Sequence, residues 1–244
     1  MTWWEALLLV VGGFFAGGIN AVAGGGSTLT VPLLVLAGVP GNAANGSNRI
    51  GILTSTVAAA ASFARLGVEG FAHTARIILP VVAGSLVGST AISRLSNDAF
   101  ETLFGFLMLP LIVLSIFKPK ARTDRAAWPY WLTFVVFFGI GIYGGAVQAG
   151  VGLVLLAALT RAGFDLVTAN HIKVLVNVVV TAVALPVFIA NGQIRWIPAV
   201  ILAGGFTAGG WFGARFAVRG GERYIRAAMV IATLILAGSL LGLY

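Results

Sequence analysis

Long stretches without a charged residue alternate with brief charged punctuation along the whole chain. The charge-free runs are Ala6–Asn48, Ile50–Ala64, Ile77–Ser93, Thr102–Phe117, Ala126–Thr160, Val174–Ile194, Trp196–Ala214 and Ala227–Tyr244. One helical crossing of a bilayer takes about 20 predominantly apolar residues, with a range of about 17–25. The first and fifth runs, of 43 and 35 residues, are too long for one crossing, and glycine clusters interrupt both. Reading each as two elements predicts ten hydrophobic segments. They lie near 3–22, 27–37, 47–65, 77–95, 100–117, 129–147, 150–161, 171–190, 196–215 and 225–243. The second and seventh are short, as broken or partial helices are. The pattern predicts an all-α polytopic membrane protein.

Composition agrees with the pattern and removes other classes. The 244 residues are 59% hydrophobic and 9% charged, with a mean hydropathy of +1.02. Soluble domains carry about 25% charged residues, so a soluble enzyme, a disordered chain and a nucleic-acid-binding protein are all excluded. The chain has no cysteine, which removes disulfides and thiolate metal sites. Neither a metal nor any other cofactor is expected.

The excess of 15 Lys and Arg over 7 Asp and Glu reads as a topology signal. With ten crossings and the N-terminus outside, the inside loops hold Arg65, Arg76, Lys118, Lys120, Arg122, Arg125, Arg161, Lys173, Arg215, Arg219, Arg223 and Arg226. Only Arg49, Arg94 and Arg195 fall outside. Making the two short segments re-entrant, with eight crossings, puts seven basic residues inside and eight outside, against the positive-inside rule. Ten topological elements in the cytoplasmic (inner) membrane, with both termini outside, are therefore expected. The start Met1–Glu5 lacks a basic n-region, so a cleaved signal peptide is not expected. Trp3, Trp4, Trp128, Tyr130, Trp131, Trp196 and Tyr244 suit interfacial anchors.

The chain also matches itself. An offset of 125 places Gly25, Leu34, Ala37, Gly38, Ala44 and Asn45 over Gly150, Leu159, Ala162, Gly163, Ala169 and Asn170. An offset of 121 places Gly84, Gly88 and Arg94 over Gly205, Gly209 and Arg215. Five elements per half is an odd number, so the halves take opposite orientations, a recurring plan of secondary transporters. The expected units are 1–125, ending in the basic linker Lys118–Arg125, and 126–244. The Gly84/Gly88 and Gly205/Gly209 pairs have the spacing that lets helices approach closely, within the chain or in a homo-oligomer.

Both halves carry a glycine-rich break, GGFFAGGINAVAGGGSTLTVPLL (12–34) and GIGIYGGAVQAGVGLVLLAAL (139–159). Interrupted segments in matching positions of two halves point to a transporter binding site, and a helix restarting there offers free N–H groups to an anion. The GGGST stretch lacks the Lys of a phosphate loop. Candidate substrate-binding residues at the breaks are Gly24, Gly25, Gly26, Ser27, Thr28, Gln148, Gly150 and Gly152. A polar cluster follows each short segment and adds Asn45, Ser47, Asn48 and Arg49, then Asn170, His171, Lys173 and Asn177. Asn42 and Thr168 read as helix caps. His171 has the chemistry of a proton carrier, whereas His73 reads as a loop residue. All seven acids fall at predicted ends or loops, so a membrane-centred carboxylate relay cannot be built. Cations and amides without acids favour an anionic substrate.

At the breaks the sequence resembles the TauE/SafE family of sulfite exporter-like membrane transporters. The likeness rests on AGGGSTLTVPLL (23–34), LAGVP (36–40) with Ala44, YGGAVQAGVG (143–152), and the AGSLVG and GGFTAGG stretches with their following arginines. The second half departs from a full GGGxG pattern, with AGVG at 149–152. The resemblance implies transport of sulfite, organosulfonates or related small sulfur-containing or carboxylate anions. The expected partners besides the anion are the lipid bilayer and a coupling ion, proton or sodium. Two other readings stand beside it: a passive anion channel, and an intramembrane enzyme using Ser47 with His171.

Overall fold

The computed structural model describes residues 1–22, 25–65, 71–116 and 128–218. The described residues form nine α-helices: α1 (Trp3–Val22), α2 (Ser27–Leu36), α3 (Gly41–Arg65), α4 (Phe71–Ile92), α5 (Asn97–Ile116), α6 (Tyr130–Ala146), α7 (Val151–Arg161), α8 (Leu166–Ala190) and α9 (Trp196–Val218). The predicted segment 225–243, the basic linker and Gly24 lie outside the described residues.

Local chemistry sets the helix starts, and it corrects the sequence reading in three places. A capping box opens α1: the Thr2 N–H donates to Glu5 Oε2 at 2.7 Å and the Glu5 N–H to Thr2 Oγ1 at 3.4 Å. The third segment was expected from residue 47, yet α3 begins at Gly41 and takes the polar cluster inside the helix. Its first N–H groups are satisfied from α5, Gly41 by Glu101 Oε1 at 3.1 Å and Asn42 by Asn97 Oδ1 at 3.2 Å. Asn42 is thus no cap; its Nδ2 donates to the Leu95 carbonyl. In α8 the cap is Asp165, whose Oδ1 accepts the Thr168 N–H at 3.0 Å, rather than Thr168 itself. His73, expected in a loop, lies in the first turn of α4, whose start the charge on Arg76 had concealed. Asp165→Ala should cost about 1 kcal/mol, the usual worth of such a cap, read as a lower Tm in detergent.

Among the described residues, three helices are long and apolar enough to cross a membrane, over Trp3–Ala21, Thr168–Ala190 and Trp196–Gly213. Shorter apolar stretches lie in α2, α4, α6 and α7. Leu7, Val11 and Phe15 of α1, Leu79 and Leu86 of α4, and Ile197 and Val200 of α9 are exposed. Such large apolar side chains on an outer surface fit a lipid solvent and not water.

The most extensive pairings are α1 with α9 and α4 with α6. Each is a glycine seam. A methyl group at Gly84 or Gly88 would overlap the carbonyl oxygens of Phe138 or Ile142, and one at Gly205 or Gly209 those of Val10 or Phe14. These GxxxG pairs therefore pack inside the chain, backbone against backbone.

The two short helices sit at the centre. At 1.5 Å per residue, the 10 residues of α2 and 11 of α7 extend about 15–17 Å, half of an approximately 30 Å hydrocarbon core. Every α2 residue from Ser27 to Leu34 is buried, as are Val151, Leu155 and Leu159 of α7. Broken backbone is tolerated at membrane depth only where protein or a polar cavity shields it. The described residues of both breaks, Gly25 and Gly26 in one and Val147 to Gly150 in the other, are buried and meet that condition.

Candidate functional site

The first break lies between α1 and α2. Gly26 fits tightly, since a methyl there would overlap the Ala16 carbonyl oxygen. Gly25 accepts from Thr28 Oγ1 at 2.6 Å, so Thr28 serves the local turn. Ser27, the first residue of α2, reaches across the molecule and donates to the Gln148 carbonyl at 3.1 Å. The two breaks therefore touch.

The second break, between α6 and α7, needs two left-handed residues. Gly150 adopts φ 66° at little cost, but Gln148 adopts φ 61° with a side chain in place. A non-glycine residue in that region is uncommon and is held by its surroundings. Those surroundings are specific. Ser27 takes the Gln148 carbonyl, Gln148 Nε2 donates to Thr181 Oγ1, and Gln148 Oε1 accepts from Arg49. Tyr143 Oη closes the turn by donating to the Ala149 carbonyl at 2.5 Å. Gly152 is buried in the first turn of α7.

Arg49 is the centre of this arrangement. It projects from the third turn of α3, is fully buried, and has no carboxylate partner among the described residues. Its Nη1 donates to the Gly144 carbonyl at 3.2 Å and to Gln148 Oε1 at 2.9 Å. Its Nη2 donates to the carbonyls of Gly145 at 2.5 Å and Ala146 at 3.1 Å. The guanidinium also stacks on Phe188 of α8, 4.4 Å from the ring centroid. Three of its four oxygen partners are the last carbonyls of α6, which have no helical donor left. That end carries roughly half a negative charge, which offsets the cation where no acid is present. Asn45, one turn earlier, donates from Nδ2 to the same Ala146 carbonyl at 2.7 Å.

Lys173 is placed in the same way on the other break. It is fully buried in α8 and its Nζ lies 3.5 Å from the carbonyl of Ala21, in the last turn of α1. It does not reach back along its stem to an interface. Asn170, Lys173, Asn177 and Thr181 recur at helical spacing, so one face of α8 carries them toward both breaks. The amide oxygens of Asn170 and Asn177 are buried without a hydrogen-bond partner. His171 is buried beside this face. Asn48 Oδ1 accepts from Thr30 at 2.5 Å.

The structure thus brings together Ser27, Asn45, Arg49 and Gln148, with Asn177 joined through Thr181. Ser47 faces elsewhere, and its Oγ accepts the Arg195 N–H at 2.8 Å. A cavity of about 250 Å³ opens at that end, lined by Pro40, Asn42, Asn97, Gln193 and Arg195. Thr181, Tyr143 and Phe188 went unnoticed in the sequence. Thr181 was findable, one helical turn beyond Asn177; Phe188 carries no signal that separates it from core packing.

Residues 9–240 match the family model described as sulfite exporter TauE/SafE. The chain belongs to that family. This TauE/SafE protein is a multi-pass membrane protein of a transporter family. It is similar to a probable membrane transporter protein of Haemophilus influenzae, 30% identical over 95% of this chain and 92% of the relative. It is 27% identical to the probable membrane transporter protein ORF9 of a Sinorhizobium species, over 96% and 91% of the two chains. The probable membrane transporter protein YfcA of Escherichia coli K12 is also 27% identical, over 93% and 86%. No solved structure matches the TauE/SafE chain at a significant level.

Proposed function

We propose that this TauE/SafE protein is a secondary transporter that carries a small anion by alternating access. The anion is sulfite, an organosulfonate or a related sulfur-containing or carboxylate species. The observation that carries the reading is Arg49, a buried cation held by helix-end carbonyls with no acid beside it among the described residues. A charge at that depth is costly unless it serves a polar pathway. An incoming anion supplies the full negative charge that the carbonyls only approximate.

The anion binds where the breaks cross, between Arg49 on one side and Lys173 on the other, with Asn45, Asn48, Asn170 and Asn177 around it. Residues 1–125 and 126–244 act as two inverted halves that rock about this crossing. Support comes from the two 25-residue helices α3 and α8 that follow the short helices. The paired seams α1–α9 and α4–α6 support it as well. Both termini lie outside, and a proton or sodium ion drives the cycle.

Uptake of labelled sulfite into proteoliposomes tests the reading. Flux that saturates with sulfite and is competed by small sulfonates is expected; no flux for sulfite, sulfonates or carboxylates sinks it. Conductance far above the turnover of an alternating-access carrier assigns a channel instead. Lys173→Ala should weaken sulfite affinity about tenfold, the worth of one charge-assisted hydrogen bond, in a thermal-shift titration. Unchanged affinity removes Lys173 from the site.

A further inference from the structure

We propose that the C-terminal carbonyls of α6 occupy Arg49 as an internal stand-in for the anion, so that Arg49 is a latch between α3 and α6 that the arriving anion releases. This rests on the anion-transport reading above and adds how the site is controlled.

Both outer nitrogens of the guanidinium are used up within the protein, on Gly144, Gly145, Ala146 and Gln148. Two donors beside them are not. Arg49 Nε and Asn48 Nδ2 are buried and have no hydrogen-bond partner among the described residues. A buried donor left unpaired is destabilising, so neighbouring residues of one helix hold unspent capacity for an acceptor. An oxyanion can engage the Nε edge first, while the carbonyls still hold Nη1 and Nη2. Once there, its full charge competes with the partial charge of a helix end for the remaining nitrogens. Displacement then frees the α6 terminus from α3.

Release at Arg49 also loosens the break. Gln148 holds its left-handed backbone through three contacts, and Arg49 is one of them. Phe188, which stacks on Arg49, also lies against Gly46, where a methyl would overlap the Gln193 carbonyl oxygen. Gln193 lines the open cavity. The guanidinium is therefore joined through Phe188 and Gly46 to the wall of that cavity, and movement of Arg49 bears on its closure.

The chain has no native cysteine, so one introduced thiol reports the latch directly. Val147 is buried in the second break, and Val147→Cys in purified protein is labelled with a polar maleimide. Methanesulfonate, a sulfonate that does not consume maleimide as sulfite does, should speed labelling about tenfold, a coupling of ordinary size. Adding Arg49→Lys, which keeps the charge and loses the fork, should give fast labelling without any anion. Labelling at the parent rate in that variant overturns the latch. Gln148→Glu gives Arg49 a permanent carboxylate and should slow labelling about tenfold, the worth of a charged hydrogen bond. Unchanged or faster labelling there overturns it too, even if Arg49→Lys fails to fold. Anion-free comparisons judge the latch alone. Labelling that ignores methanesulfonate, although a thermal shift shows methanesulfonate bound, overturns the release step; no thermal shift at all counts against the anion reading instead.

Discussion

Arg49→Ala should lower the initial rate of sulfite flux in proteoliposomes at least about 100-fold, the effect of losing two charge-assisted hydrogen bonds of about 1.5 kcal/mol each. The reasoning starts from the partners. Removing the guanidinium strands the Gly144, Gly145 and Ala146 carbonyls, apart from the Asn45 bond to Ala146. It also frees Gln148 Oε1 and empties the space beside Phe188. The break loses its clamp and the anion loses its cation together. Arg49→Lys separates the two contributions. A lysine keeps the charge but cannot fork across α6, so it should bind sulfite and fail to hold the halves in step. Monodisperse elution in detergent establishes that each variant folds before flux is compared. Parent-like flux in a folded Arg49→Ala protein removes Arg49 from the transport pathway.

Gly209→Ala should be among the most destabilising single-methyl changes in the chain. The added carbon falls on the carbonyl oxygen of Phe14, and a backbone atom cannot rotate away as a side chain can. The α1 and α9 helices must separate, which loosens the contacts of Gly13, Gly17 and Gly205 along the same seam. A loss of about 3 kcal/mol is expected, at the upper end of ordinary overpacking, seen as a lower Tm in detergent. Gly204 on the same helix is the control. A methyl there meets nothing within 4 Å, so Gly204→Ala should be neutral or stabilise by up to about 1 kcal/mol through helix propensity alone. Equal Tm values for the two variants would show that the seam tolerates separation.

These cases show what a linear reading can reach. Hydropathy located each described helix, and glycine clusters located both breaks, because each signal is local. Helix starts were harder. The start of α3 was hidden because Asn42, Asn45, Asn48 and Arg49 lower its hydropathy, and the groups that satisfy its first N–H groups lie on α5. Arg49 and Lys173 were legible as members of the polar clusters, although the charge tally had put both in loops and the structure buries them inside α3 and α8. Their partners were not, since helix-end carbonyls belong to residues of any type and here are mostly glycine and alanine. Those acceptors are backbone atoms, which no residue type marks. Phe188 stayed hidden for a related reason, since an aromatic on an apolar helix is ordinary until a guanidinium lies on it.

The two glycine seams close at very different moments in the life of the chain. The α6 helix begins about 40 residues after α4 ends, so at 5–20 residues per second that seam can zip within about 2–8 s of the ribosome passing. The α1 helix must wait for α9, about 170 residues later, or roughly 10–35 s at the same speed. Throughout that interval its Gly13 and Gly17 edge has only lipid or an insertion factor to rest on. A nascent chain stopped before α9 therefore carries a first helix whose glycine edge is unmatched, and a late-made helix is what secures an early one.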